Sequence, residues 1–137
     1  MATRGAAVRP PFAALDPGLR LAEHFLAGGQ PGLCRVLWAL PDESAAADRL
    51  NELMVELGAQ PCLDGCPGSW RLVYVGRGRL VTPVTAAVCA VAELVALSGW
   101  GRFKRCARCG RPVVDRTNGC SRRWCDEHRR RGVGCSA

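Results

Sequence analysis

Four side chains near the C-terminus have types and spacing suited to holding a metal ion. In Lys104-Arg105-Cys106-Ala107-Arg108-Cys109-Gly110, two thiols stand three residues apart. Trp124-Cys125-Asp126-Glu127-His128 brings a thiol and an imidazole at the same interval. The first pair reads as a knuckle: its backbone amides support the sulfurs, and Gly110 permits a turn that needs positive φ. If residues 126 to 131 form a short helix, Cys125 and His128 fall on one face at i and i+3. The pattern C-x2-C-x15-C-x2-H matches a structural Zn2+ site with Cys106, Cys109, Cys125 and His128 as ligands. Four closed ligands leave no position for a substrate.

Other residues invite chemistry and fall short of it. Cys62 and Cys66 lie in a Pro/Gly-rich stretch with no matching second pair, so they read as an unpaired loop dithiol. Cys34 and Cys89 sit in apolar runs and behave as small core residues. His24, beside Phe25, reads as a surface or boundary histidine. Gly76-Arg77-Gly78 lacks the third glycine and the following helix of a dinucleotide fingerprint. No serine, cysteine or lysine has a recognisable catalytic neighbourhood, and no enzyme is expected. A thioredoxin-like role for Cys106 and Cys109 is disfavoured because no βαβ pattern surrounds them.

Charge separates the same C-terminal segment from the rest. The chain carries a formal +7. Residues 1 to 101 hold eight basic and nine acidic side chains, a balance of −1, whereas residues 102 to 137 hold eleven and three, a balance of +8. A basic block on a small module is the electrostatic footprint expected for nucleic acid, with a solvated basic tail as the bland alternative. The candidate contacts are Lys104, Arg105, Arg108, Arg111, Arg122, Arg123, Arg129, Arg130 and Arg131. Arginine suits phosphate through bidentate hydrogen bonds, which position a protein without specifying sequence. Trp124, beside a ligand cysteine, is expected to pack the small core of the module rather than to stack on a base.

Nine cysteines in 137 residues would also fit an exported disulfide scaffold. The odd count argues against it, as do the apolar surroundings of several cysteines and an N-terminus without a long apolar run. Cytoplasmic metal binding is the better expectation. No stretch of about 18 apolar residues supports a membrane span.

The elements that must position these residues are legible in outline. With 48% hydrophobic residues the chain can build a core. Asp16-Pro17 opens a helix to about Ala27, stopped by Gly28-Gly29. Leu33 to Leu40 is an apolar run that suits a short helix or a buried strand, with helix favoured because no β-branched enrichment supports a strand. Asp42 caps a clearer helix with Leu50, Leu53, Met54 and Leu57 on one stripe, ended by Gly58. Pro61 to Gly68 is expected as a loop, and Trp70–Val75 with Arg79–Val81 as a β-hairpin turning at Gly76-Arg77-Gly78. Thr82-Pro83 starts an almost wholly apolar helix to about Leu97, hence a central one. A second hairpin is expected around Asn118-Gly119, between Pro112–Asp115 and Ser121–Trp124. The expectation is an α+β fold: a mainly helical N-terminal domain with one β-hairpin, then a small treble-clef-like zinc finger. Residues 1–11 read as a flexible leader, 12–101 as the α+β domain, 102–132 as the finger and 133–137 as a tail.

Residues 102 to 125 resemble the CGNR zinc finger of bacterial stress-induced transcription regulators, whose N-terminal part is the ABATE domain. The resemblance rests on the basic lead-in Arg102-Phe103-Lys104-Arg105-Cys106, on Val114-Asp115 followed by a Thr/Asn/Gly turn, and on Arg122-Arg123-Trp124-Cys125. The nine-residue step from Asp115 to Trp124 agrees with the family pattern. The resemblance implies a DNA-binding transcription regulator whose N-terminal domain senses a small ligand or meets a partner protein. The chain departs from it where Cys-Gly-Asn-Arg would stand and reads Cys125-Asp126-Glu127-His128-Arg129-Arg130-Arg131. The family's fourth cysteine is then most economically replaced by His128, with Cys135 and Cys120 as alternatives. The rival function is a protein–protein interaction module whose finger is structural and does not touch DNA.

Overall fold

A computed structural model describes residues 12–129 of the chain. The expected leader and tail, with Arg130, Arg131 and Cys135, lie outside the described residues. Among the described residues, four α-helices, one 3-10 turn and two small antiparallel hairpins precede a single helical turn at 126–129: α1 Phe12–Ala27, α2 Pro31–Ala39, α3 Glu43–Leu57, β1 Gln60–Cys66, β2 Ser69–Val75, the 3-10 turn Arg77–Arg79, α4 Pro83–Ser98, β3 Phe103–Arg105 and β4 Pro112–Val114.

The helices form where their caps and apolar stripes direct them. The Gln30 side chain accepts from Leu33 N at 2.7 Å ahead of Pro31. Asp42 Oδ1 accepts from Ala45 N at 3.1 Å, and Thr82 Oγ1 accepts from Thr85 N at 3.2 Å. Such caps satisfy amide groups that an isolated helix end leaves orphaned, each typically contributing about 1 kcal/mol. α1 begins one turn earlier than Asp16-Pro17 suggested and runs through Pro17. Phe12 holds that extra turn, because its buried ring lies 4.2 Å beneath the Arg102 guanidinium.

One continuous core joins the helices. α1 contributes Leu19, Ala22 and Leu26, and α4 contributes Val88, Val91 and Leu94, all buried. Each Leu or Val of this kind stabilises the fold by roughly 1.5–3 kcal/mol relative to an exposed one. α1 and α4 approach backbone to backbone because Gly18 has no side chain. A Cβ there would lie 2.6 Å from Ala90 Cβ and 2.7 Å from the Ala86 carbonyl oxygen. No helix among the described residues is long and apolar enough to cross a membrane.

Both hairpins exist, and neither is where the turn residues placed it. β1 pairs with β2 from Gln60↔Val75 to Cys66↔Ser69, so the turn is Pro67-Gly68 and the expected loop 61–68 is mostly strand. Gly76-Arg77-Gly78 instead makes the 3-10 turn, closed by Gly76 N donating to Leu80 O at 2.7 Å. That closure carries the chain away from β2 and into the cap of α4. In the C-terminal segment, β3 pairs with β4 from Phe103↔Val114 to Arg105↔Pro112. The cysteine knuckle is therefore itself the hairpin connection, and Asn118-Gly119 belongs to a loop without strands. Val114 is fully buried in the helical core, and Phe103 packs on it.

Candidate metal centre

The knuckle is built by its own backbone. Cys106 N donates to Arg111 O at 2.8 Å and Gly110 N donates to Cys106 O at 2.8 Å, with Gly110 at φ 77° as the turn requires. Arg108 N reaches Cys106 Sγ at 3.4 Å. Ala107 N donates to Arg123 O at 2.8 Å and so ties the knuckle to the second pair. Residues 126–129 make one helical turn, begun by Arg129 N bonding to Cys125 O at 2.8 Å. This turn places His128 over Cys125.

Cys106, Cys109, Cys125 and His128 thereby converge, with their ligand atoms all within 4.8 Å of one another. Cys106 Sγ and Cys125 Sγ lie 3.4 and 3.5 Å from His128 Nδ1, and Cys109 Sγ lies 3.8 Å from Cys125 Sγ. A tetrahedron with metal–sulfur arms of about 2.3 Å and a metal–nitrogen arm of about 2.05 Å has edges of about 3.8 Å between sulfurs and about 3.6 Å from sulfur to nitrogen. The three short separations lie within about 0.2 Å of those edges. The four groups fit one tetrahedral ion.

Their electrostatics favour a cation as well. Burial opposes charge on Cys106, but backbone hydrogen bonds from Cys125, Cys109 and Arg108, joined by the His128 ring, outweigh it and lower its pKa to about 5. For Cys109 the Arg111 amide favours the thiolate, yet burial and the neighbouring Cys106 and Cys125 sulfurs raise its pKa. Three thiolates without a cation repel one another, and a bound divalent ion removes that conflict and keeps them deprotonated. Trp124 packs against Cys106, Val113 and Cys125 as the lid of this small core, with the Arg123 guanidinium 5.2 Å from its ring.

No protein-family model matches the chain, and no curated protein matches it either. The site therefore stands on its geometry.

Of the alternative fourth ligands, Cys120 is outside the cluster, its sulfur turned toward Gly101 O at 3.9 Å. Cys135 lies outside the described residues. Cys62 and Cys66 are on β1 rather than in a loop. Four steps along the strand set their Cα atoms about 13 Å apart, too far for one ion or a disulfide between them. Cys34 and Cys89 are buried in the helices, and His24 is exposed.

Two of the nine basic candidates for nucleic-acid contact are instead internal braces. Arg122 has a side chain only 3% exposed, gripped by Glu23 through NH1–Oε1 at 2.7 Å and NH2–Oε2 at 3.0 Å. It also donates to Val114 O at 3.1 Å and Trp124 O at 2.9 Å. Lys104 Nζ lies 2.7 Å from Asp115 Oδ2 and donates to the carbonyls of Cys120 and Arg122 at 2.7 and 3.1 Å. An arginine enclosed this way cannot reach phosphate, and the lysine's ammonium already has three partners. Arg105, Arg108, Arg111, Arg123 and Arg129 are exposed, and Arg130 and Arg131 lie outside the described residues.

Reasoning from spacing missed the residues that seat the finger. Asp115 is fully buried and accepts from Lys104, from the Thr117 amide and hydroxyl at 2.8 and 2.6 Å, and from Arg122 N at 2.8 Å. Burial alone would raise its pKa, but Lys104, Thr117 and the Arg122 amide hold it far below the usual carboxylate range. The pair holds Lys104 protonated beyond its ordinary range, chiefly through the Asp115 hydrogen bond. Glu23 of α1 accepts Val114 N at 2.9 Å in addition to Arg122, and Asp16 of α1 meets Arg116 at 2.9 Å. The metal-binding segment is thus fastened along α1 rather than hung from a linker.

Proposed function

We propose that the ion is Zn2+, that it is structural, and that the segment it organises binds duplex DNA as part of a transcription regulator of the CGNR type. Three thiolates and one imidazole in a closed tetrahedron suit zinc's preference for sulfur and nitrogen and leave no coordination position for a substrate. The observation that carries the DNA reading is the division of labour among the basic residues. Lys104 and Arg122 hold the finger together, while Arg105, Arg108, Arg111, Arg123 and Arg129 remain exposed around the metal centre. Arg105 donates once to Gly110 O at 3.2 Å and Arg129 once to Asp126 at 2.9 Å, so each keeps most of its five N–H donors for phosphate.

The test is duplex binding by fluorescence anisotropy over a series of salt concentrations. Five phosphate contacts give a slope of log K against log salt of about −4 to −5, and each Arg→Ala change among the five reduces that slope by about one. Absence of binding at low salt refutes the reading. The rival, a structural finger serving protein contacts, is favoured by the Glu23–Arg122 clamp, which makes the finger a cap on α1. It predicts zinc-loaded protein with no salt-dependent DNA affinity.

A further inference from the structure

The β1–β2 hairpin is an arm whose base is anchored and whose outer part is covered by nothing among the described residues. Val75, at the base of β2, is buried and that strand becomes exposed toward the Pro67-Gly68 turn, while β1 is exposed along its length except at the half-buried Cys62. Directly paired residues of an antiparallel ribbon point to the same side. The register therefore places Leu63 with Leu72, Gly65 with Trp70, and Pro61 with Tyr74 on one face. That face carries no charge. The opposite face carries Asp64 and Arg71, joined at 3.3 Å, with Ser69 and Cys66 beyond them.

Leu63, Trp70 and Leu72 are 66%, 58% and 57% exposed. Gly65 adds to the flatness beside Trp70: a Cβ there would lie 2.1 Å from the Ser69 carbonyl oxygen. Val81, 57% exposed, lines the same groove as Leu72 and Tyr74 and extends the surface toward α4, where Glu93 and Arg71, one of each sign, also line the groove. An isolated two-stranded ribbon is marginal in water, and a contiguous apolar face on it marks a contact surface.

We infer that this face is a homodimer interface, in which the Leu63–Trp70–Leu72 face of one copy packs on the same face of a second copy about a two-fold axis. Area and charge select a second copy as the occupant. The exposed parts of these side chains present on the order of 450 Å² of apolar surface, and interfaces in which about 60% of the area is apolar then reach the roughly 800 Å² per partner of a standard interface. The chain as a whole carries +7, which repels a second copy, but residues 60–75 contain only Asp64 and Arg71 and are neutral. A two-fold contact made through the arm therefore brings uncharged apolar surface against its equal, as an isologous interface requires. An acidic or nucleic-acid partner has nothing to pair with on this face.

The assignment is independent of the DNA reading and is tested without DNA. Sedimentation equilibrium of zinc-loaded full-length protein from low to high micromolar should give twice the 14.7 kDa chain mass. Leu72→Asp and Trp70→Asp should each return the chain mass. Val55→Asp, at a 77% exposed position on α3, should leave the dimer intact. Far-UV circular dichroism and zinc content identify any variant that has lost its fold, and the two arm variants stand in for each other in that event. A monomeric wild type across the range overturns the inference, and so does a folded Leu72→Asp that stays dimeric.

Discussion

Replacing Glu23 with Gln keeps the shape of the α1 side chain and removes the charge that Arg122 faces. The carboxylate accepts from Arg122 NH1 at 2.7 Å, Arg122 NH2 at 3.0 Å and Val114 N at 2.9 Å. With Arg122 only 3% exposed, the change leaves a buried guanidinium without its main counter-ion. Breaking such a pair from one side costs about 3–5 kcal/mol. Arg122 retains Val114 O, Trp124 O and Asp126 at 3.3 Å, so the lower end, about 3 kcal/mol, is expected. In urea this appears as a fall in midpoint at unchanged m, and in a thermal melt as a loss of roughly 10 °C for a chain of this size. Arg122 also braces Trp124 and Asp126, which flank Cys125 of the metal-binding group, so metal affinity should fall about tenfold, as for other outer-shell partners. A double-mutant cycle with Arg122→Met isolates the pair: the double variant should be more stable than the two single losses added together, by at least about 1 kcal/mol. Additive losses, or a Glu23→Gln variant within about 0.5 kcal/mol of wild type, refute the docking role of this clamp.

Three further outcomes follow from the same contacts. Asp115 has its pKa depressed in the fold, so its contribution is fully present above the unfolded value of about 3.9 and is lost as pH falls below it toward the folded value. Acid titration of Asp115→Asn should therefore show a lower plateau at neutral pH and a shallower loss between about pH 4 and pH 2 than wild type. Gly18→Ala drives a methyl into Ala90 Cβ and the Ala86 carbonyl, and calorimetry should record a loss of about 1–3 kcal/mol, whereas the same change at Gly101, where nothing lies within 4 Å, should be nearly neutral. Chelation of the metal should expose Cys106, Cys109 and Cys125 to a thiol reagent and change Trp124 fluorescence, while far-UV signal from α1 to α4 persists because their core is separate from the ligand cluster.

How far the sequence discloses this molecule depends on how local each determinant is. The ligand pairs Cys106/Cys109 and Cys125/His128 are short-range patterns, and their spacing alone implies convergence. The helix caps Asp42 and Thr82 are equally local, and both form the expected bonds. Glu23 could not be read this way. On an amphipathic helix it looks like one more solvated carboxylate, and its partner is 99 residues further on. Lys104 and Arg122 are basic like the arginines that remain exposed, and only the positions of Asp115 and Glu23 decide that these two turn inward. The two hairpins differ from the expectation for a common reason. Gly76-Arg77-Gly78 and Asn118-Gly119 are strong turn signals, but a turn becomes a hairpin only if the flanking strands find each other. Here β2 pairs backward with β1, and Asp115 gathers residues 117 and 122 onto its carboxylate in place of a ladder.

The central claim is that Cys106, Cys109, Cys125 and His128 hold one zinc ion. Metal analysis of protein purified without added metal measures it directly, with wild type, His128→Ala and Cys135→Ser compared side by side. One zinc per chain in wild type and in Cys135→Ser, with substantial loss in His128→Ala, is the predicted result. Full zinc in His128→Ala together with loss in Cys135→Ser contradicts the ligand set, and a metal-free wild type contradicts the site.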